Sequence, residues 1–353
     1  MDATEKFLKE LVEAPGAPGF EGDVAKVMER YLKGVGPMSR DRLGSFICEK
    51  KGAASGPRVM LAGHLDEVGF LVKGVGKDGF VRFLPLGGWW GHVVLGQRLV
   101  IKTRQGDVLG VVGSKPPHEL RDEDRKRVLE IKDMYIDVGG TSDWDVKKKL
   151  DIRPGDPILP ISDYTRMANA NLLLAKAWDN RIGCALAAET AKRLKGVSHP
   201  NTLFAVATVQ EEVGLRGAQT SAFKVQPDVA FALDVGIAHD TPGTEVEEKL
   251  VGSPRTVVYD SSAIPNRALL DLVTDTAKKL KLPLQFESVE RGGTDAGRIH
   301  MSGQGVPSLS MGVPARYIHS HVSIIDRRDF EMTVKLLVAL VKRLDRRTVE
   351  NLI

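Results

Sequence analysis

Two adjacent carboxylates, Glu211 and Glu212, close TLFAVATVQEEVGLRG, an apolar, β-branched run that reads as a buried strand. Desolvation and mutual repulsion both penalise like charges in such a place. Either the pair is solvated at a sheet edge, or something positive sits beside it. Other ionisable residues repeat the pattern. His64 and Asp66 close RVMLAGHLD, Asp234 closes DVAFALDVG, and His319 follows PSLSMGVPARYIHS. Asp179, in AKAWDNRIG, stands just ahead of a long helical pattern. In an open α/β sheet, the carboxyl ends of the strands are where ligands bind. Two histidines and several carboxylates on separate elements, without cysteine, suit zinc, cobalt or manganese better than a structural thiolate site. A cation there inverts the penalty on paired acids.

Taken singly, each residue has an ordinary role. A strand-end histidine is usually hydrogen-bonded at a surface. Asp179 could be only an N-cap and Asp234 only a turn residue. The set as a whole is what points to metal chemistry, although spacing alone does not bring distant elements together. The remaining histidines serve as controls. His92 and His118 lie in a β-rich middle segment, His199 precedes a proline, and His300 sits on a helical pattern. His239 and His321, close in sequence to Asp234 and His319, read as flanking or surface residues.

The elements that must position these groups fall into two textures. Residues 1–68 read as α/β, with helices FLKELVEA and EGDVAKVMERYLKGV and the strand RVMLAGHLD. From 69 to 160, short strands (GFLVKGV, FVRFLPLG, QRLVIKT, VLGVVG, MYIDVG) alternate with Gly, Pro and Asp turns, the signature of a small all-β unit. From 161 to 353 the α/β texture returns: helix NRIGCALAAETAKRLK, strand TLFAVATV, a short helix SAFKV, strand DVAFALDVG, helix NRALLDLVTDTAKKLK, strands LQFESV and PSLSMGV, and a long helix FEMTVKLLVALVKRLD. Strands alternating with helices imply a mixed sheet covered on both faces. The expected architecture is a discontinuous α/β domain (1–68 and 161–353) carrying an inserted β unit (69–160).

The bulk composition narrows the function classes. The sequence contains no apolar run long enough to span a membrane. MDATEKFLKELVEAPG is an amphipathic helix with early acids, unlike a secretory signal. Two cysteines, Cys48 and Cys184, are too few for a disulfide framework, so a cytoplasmic location is the default. The net charge of +4 is modest, and basic runs such as RDEDRKR are interleaved with acids. That is a solvated surface turn rather than a nucleic-acid patch.

The stretches EAPGAPGFEG, AGHLDEVGF, PLGGW, WDNRIGCA, VATVQEEVGLRGA, ALDVG, RGGTDAG and VPARYIHS carry a specific likeness. Along essentially its whole length the chain resembles the tetrahedral (TET) aminopeptidases, family forty-two of the metallopeptidases. The resemblance implies a zinc-exopeptidase-like fold with an inserted β-barrel. It implies two divalent ions per subunit, zinc first, with cobalt or manganese as alternatives. One ion would be held by His64, Asp179 and Asp234, and the other by Asp179, Glu212 and His319. Asp179 would bridge them, Glu211 would be the general base, and Asp66 would orient the site. The peptide after the bridging acid would be cis. The implied reaction is removal of N-terminal residues from oligopeptides. The implied assembly is a hollow tetrahedral dodecamer of dimers, mediated by the insertion. Two departures stand out: Asn180 follows the bridging acid where the family often has another acid, and His239 replaces a usually small residue.

Within the insertion, WWGHVV (89–94) could supply the assembly contact or pack the insertion's own core. RGGTDAG (291–297) is the expected contributor to the first side-chain pocket. Three rival readings remain. A glycosidase needs two carboxylates across a sugar cleft, whereas Glu211 and Glu212 are adjacent and aromatics are scarce. A binding module with a decayed site conflicts with the competent residue at every ligand position. A deacylase acting on N-acyl amino acids would use the same metal machinery.

Overall fold

The computed structural model describes residues 1–244, 250 and 252–353. An eight-stranded mixed sheet forms the centre, in the order Met38–Arg40, Phe46–Lys50, Thr202–Thr208, Arg58–His64, Val229–Ile237, Ser308–Ala315, Arg255–Asp260, Gln285–Val289. The four central strands run parallel, so their carboxyl ends share one edge. Their residues are buried on both faces and therefore read as continuous apolar runs rather than alternating ones. Helices Ala3–Glu13, Gly22–Tyr31, Trp178–Arg193, Arg267–Lys279 and Arg327–Arg343 contribute to the large apolar cluster on one face. Helices Arg216–Val225 and Ala296–Ile299 cover the other.

The expected mixed sheet between helical layers is thus what the chain adopts. Several strands had no clear signal in the sequence. Met38–Arg40, Phe46–Lys50 and Arg255–Asp260 sit at or near the sheet margins, and their identity depends on pairing partners far along the chain. A separate three-stranded sheet of Thr165–Arg166, Leu172–Ala175 and Ser323–Asp326 lies just ahead of helix Trp178–Arg193. The expected short helix SAFKV is longer, Arg216–Val225, because it starts directly from the turn after Glu212.

Between Gly69 and Pro160, six strands close into a barrel in the order Gly69–Val75, Val81–Leu86, Tyr135–Asp137, Gly106–Gly113, Arg98–Thr103, Pro157–Pro160. Five match the alternating patterns. The sixth, Pro157–Pro160, is bracketed by prolines and becomes legible only because it pairs with two neighbours to close the ring. The two tryptophans of WWGHVV divide the roles left open above. Trp89 stacks on Phe70 with ring centroids 4.7 Å apart and donates to the Gly69 carbonyl at 3.0 Å. Trp90 is 60% exposed.

Asp329, near the start of helix Arg327–Arg343, is a buried acid whose Oδ1 accepts from Gly252 N at 3.2 Å. Burial pushes its pKa up to about 8. The folded state therefore keeps a proton that the unfolded chain releases near pH ~4. Stability falls as pH rises between those values and levels off above the folded pKa. In Asp329→Asn the neutral amide removes this linkage. We expect the melting temperature of the variant to change less than that of the wild type between pH 5 and pH 9. An unchanged pH slope would remove Asp329 as its source.

Candidate active site

All but one of the clustered side chains are delivered by a central strand or the turn beyond it. His64 is the last residue of Arg58–His64, paired with Thr208 on the neighbouring strand. Glu211 and Glu212 follow that neighbour. Asp234 lies in Val229–Ile237, in register with Gly312. His319 follows Ser308–Ala315. Asp179 arrives differently, at the start of helix Trp178–Arg193, where the Asp179–Asn180 peptide is cis, as the resemblance implied.

Asn180 explains its own presence. Its Nδ2 donates to the Leu233 carbonyl at 2.7 Å, and its Oδ1 accepts from Gly183 N at 3.0 Å. The side chain pins the start of the helix to the strand bearing Asp234. A carboxylate in the same pose could not make the donation. Gly183 permits the approach, since a Cβ there would lie 2.1 Å from the Leu233 carbonyl oxygen.

All five residues read as metal ligands come together. His64, Asp179 and Asp234 present ligand atoms within 4.8 Å of one another, and so do Asp179, Glu212 and His319. Asp179 faces both histidines: Oδ1 lies 3.3 Å from His64 Nε2, and Oδ2 lies 3.3 Å from His319 Nε2. Geometry also admits a third group, His64 with Glu211 and Glu212. His239 and His321 belong to no ligand group found among the described residues.

The supporting bonds are specific. Asp66 Oδ1 accepts from Glu211 N and Oδ2 from Glu212 N, both at 3.0 Å. The Asp66 carboxylate therefore holds the main chain of the acidic pair. His64 Nδ1 is bonded to the Asp66 main-chain carbonyl at 3.0 Å, with the Asp66 carboxylate farther away at 3.6 Å. His319 Nδ1 donates to the Gly88 carbonyl at 2.8 Å. A carbonyl partner fixes the tautomer, leaving Nε2 free to bind a cation.

Gly88 belongs to PLGGW, within the barrel segment. That segment offered no catalytic side chain in the sequence, and what it brings to the site is main chain. Only the motif itself could have signalled this. A Cβ on Gly87, at φ +83°, would meet Val68 Cγ1 at 2.6 Å and Glu212 Oε2 at 2.9 Å. The turn packs directly against the acidic pair.

The electrostatics mark a site built for positive charge. Burial, reinforced by Asp179, pushes Glu212 up to about 8. Burial outweighs the nearby His64 and takes Asp234 to about 7. Glu211 is driven well above the usual carboxylate range, again chiefly by burial. Asp179 runs the other way: burial opposes its charge, but hydrogen bonds to His319 and His64 outweigh it and hold the acid low. Burial disfavours the charge on His319, yet Asp179 and Glu212 raise it to about 10. Glu212 Oε1 is buried with no hydrogen-bond partner among the described residues. Orphaned oxygen, crowded acids and two imidazoles form a donor set of nitrogen and oxygen that fits two divalent ions.

The cleft above the cluster has a volume of about 570 Å³. Beyond the clustered groups, Arg255, Glu287, Arg291 and Thr294 line it, so part of RGGTDAG does reach the pocket. A roomier hollow of about 880 Å³, around Phe223 and Met301, contains none of the clustered groups. Chemistry rather than size identifies the site. The sequence reading missed the ion pair of buried Arg255 with partly buried Glu287 in the cleft. It also missed the ion cluster beneath it, where Glu67 Oε1 lies 2.5 Å from Lys176 Nζ and 3.0 Å from Arg181 Nη2.

Comparison with known proteins shows the family and the fold. The family model described as M42 glutamyl aminopeptidase matches residues 44–336. A glutamyl aminopeptidase of Lactococcus lactis is 38% identical over 343 residues, covering 96% of both chains. The crystal structure of a TET aminopeptidase from the marine sediment archaeon Thaumarchaeota archaeon SCGC AB-539-E09 superposes with a TM-score of 0.97 at 44% identity, covering 100% of both chains. The Pyrococcus horikoshii TET1 peptidase, described as assembling into a tetrahedron or a large octahedral shell, gives 0.86 at 30% identity, covering 97% of this chain and 100% of that one. The chain described here belongs to the M42 aminopeptidase family and is a hydrolase of the aminopeptidase class.

Proposed function

We propose that the protein is a two-metal aminopeptidase that removes N-terminal residues from oligopeptides. The observation that carries this reading is the pair of overlapping ligand triads sharing Asp179, with a further acid, Glu211, beside them. His64, Asp179 and Asp234 would hold one ion; Asp179, Glu212 and His319 would hold the other. Bound there, two divalent ions supply Lewis-acid polarisation of the scissile carbonyl and make a water nucleophilic near neutral pH. Glu211 accepts the proton of the attacking water and delivers it to the leaving amine. Asp66 and Gly88 keep the acidic pair and His319 in their working orientations. Zinc is the metal we favour, with cobalt or manganese as alternatives, and the cytoplasm is the location.

Adjacent acids beside two histidines do not suit glycosidase geometry. We further propose that the chain forms a tetrahedral dodecamer of dimers. The exterior of the barrel supports this, since Trp90, Leu84, Leu109 and Trp144 are each 46–60% exposed. One preparation tests both ideas. Chelation should abolish hydrolysis of aminoacyl-anilides, and zinc, cobalt or manganese should restore it, while N-acyl amino acids and cellulose stay inert. Full activity after verified metal removal would refute the metal chemistry. A stable monomer in sedimentation would refute the assembly.

A further inference from the structure

We propose that Glu21 is a positioning residue for Glu211. The inference rests on the reading of Glu211 as general base. Glu21 belongs to PGFEG and precedes helix Gly22–Tyr31 at the N-cap position, yet its side chain makes no capping bond to that helix. It is only 6% exposed. Its Oε1 instead accepts from Gly19 N at 2.8 Å and, across 189 residues of sequence, from Gln210 N at 3.0 Å.

The bond to Gln210 falls where the chain needs help. Strand Thr202–Thr208 has just ended, and Gln210 adopts φ +55°, a left-handed conformation unfavourable for a side-chain-bearing residue. The next two amides, of Glu211 and Glu212, go to the Asp66 carboxylate. Three consecutive N–H groups thus converge on two buried acids from different elements. Asp66 alone anchors the turn from one side. Glu21 anchors the residue before it and closes the bend.

The loop carrying Glu21 is itself tied to the rest of the site. The Gly16 carbonyl accepts from Glu67 N at 3.0 Å and Arg181 Nη2 at 3.3 Å, and the Ala14 carbonyl accepts from Arg181 Nη1 at 3.0 Å. Glu67 adjoins Asp66, and Arg181 lies two residues beyond Asp179. The N-terminal loop is therefore a strap between the segment bearing the bridging acid and the turn bearing the base. A buried acceptor that holds the main chain fixes where the next side chain begins, and catalytic groups tolerate little misplacement.

The test uses the metal-loaded enzyme. Glu21→Ala should lower kcat by about 10- to 100-fold, the scale of a misplacement near 1 Å, with KM and metal content close to wild type. Amide hydrogen exchange across 209–216 should quicken in the same variant. Glu21→Gln keeps an acceptor oxygen and should recover kcat to within about threefold, in keeping with retention of that hydrogen bond. Folded Glu21→Ala with wild-type kcat would overturn the proposal. So would Glu21→Gln as impaired as Glu21→Ala, or metal loss accompanying the fall in kcat. A wild-type enzyme indifferent to chelation would instead defeat the two-metal reading itself, so the two failures are distinguishable.

Discussion

Glu211→Gln should retain both metal ions and lose about 10²- to 10⁴-fold in kcat, the usual contribution of a positioned general base. The substitution is nearly isosteric. Its amide oxygen can still occupy the place of a carboxylate oxygen but cannot take a proton near neutral pH. The environment suits a base. Glu211 is buried and driven upward by desolvation, while cations beside it would pull it back toward neutrality. Its Oε2 lies 3.7 Å from His64 Nε2, so it overlooks the first triad. The same closeness allows a competing role, since geometry also groups Glu211 with His64 and Glu212 as ligands. Metal analysis separates the two roles. Metal content falling with activity would make Glu211 a ligand, and kcat within a few-fold of wild type would end its role as base.

Asp179→Ala should have the other large effect, because Asp179 is the one residue common to the two proposed triads. Its two oxygens face different histidines at equal distance, 3.3 Å. Removing it takes a carboxylate from both proposed positions and leaves each triad with two of its three groups. Even substitution of a residue that only hydrogen-bonds a ligand costs about 10- to 100-fold in metal affinity. Loss of a carboxylate that would touch both ions should exceed that at both positions. Metal content measured on the purified variant should fall well below two ions per chain, with activity lost. Content remaining near two would show that Asp179 bridges nothing. Because Asn180 rather than Asp179 ties the helix start to the Leu233 carbonyl, the variant should still fold.

Much of the site was legible because its chemistry is written in residue types at strand ends. His64, Asp234 and the Glu211–Glu212 pair each follow an apolar run, and such runs announce buried strands whatever the rest of the chain does. The alternation of short strands and turns after Gly69 likewise marked the barrel, since a half-buried strand alternates by itself. The marginal strands were harder. Phe46–Lys50 and Arg255–Asp260 owe their conformation to partners far along the chain.

The amino-acid sequence alone determined which chemistry-bearing residue types stand at the strand ends, the α/β texture and the family. Only the tertiary structure decided which groups meet. The parallel central strands bring their carboxyl ends to one edge, so residues as distant as His64 and His319 face a common carboxylate. Contacts made by main chain carry no residue signature, which is why the Gly88 carbonyl and the Gln210 amide were invisible beforehand. A hydrogen bond between distant segments exists only once the fold has aligned both partners.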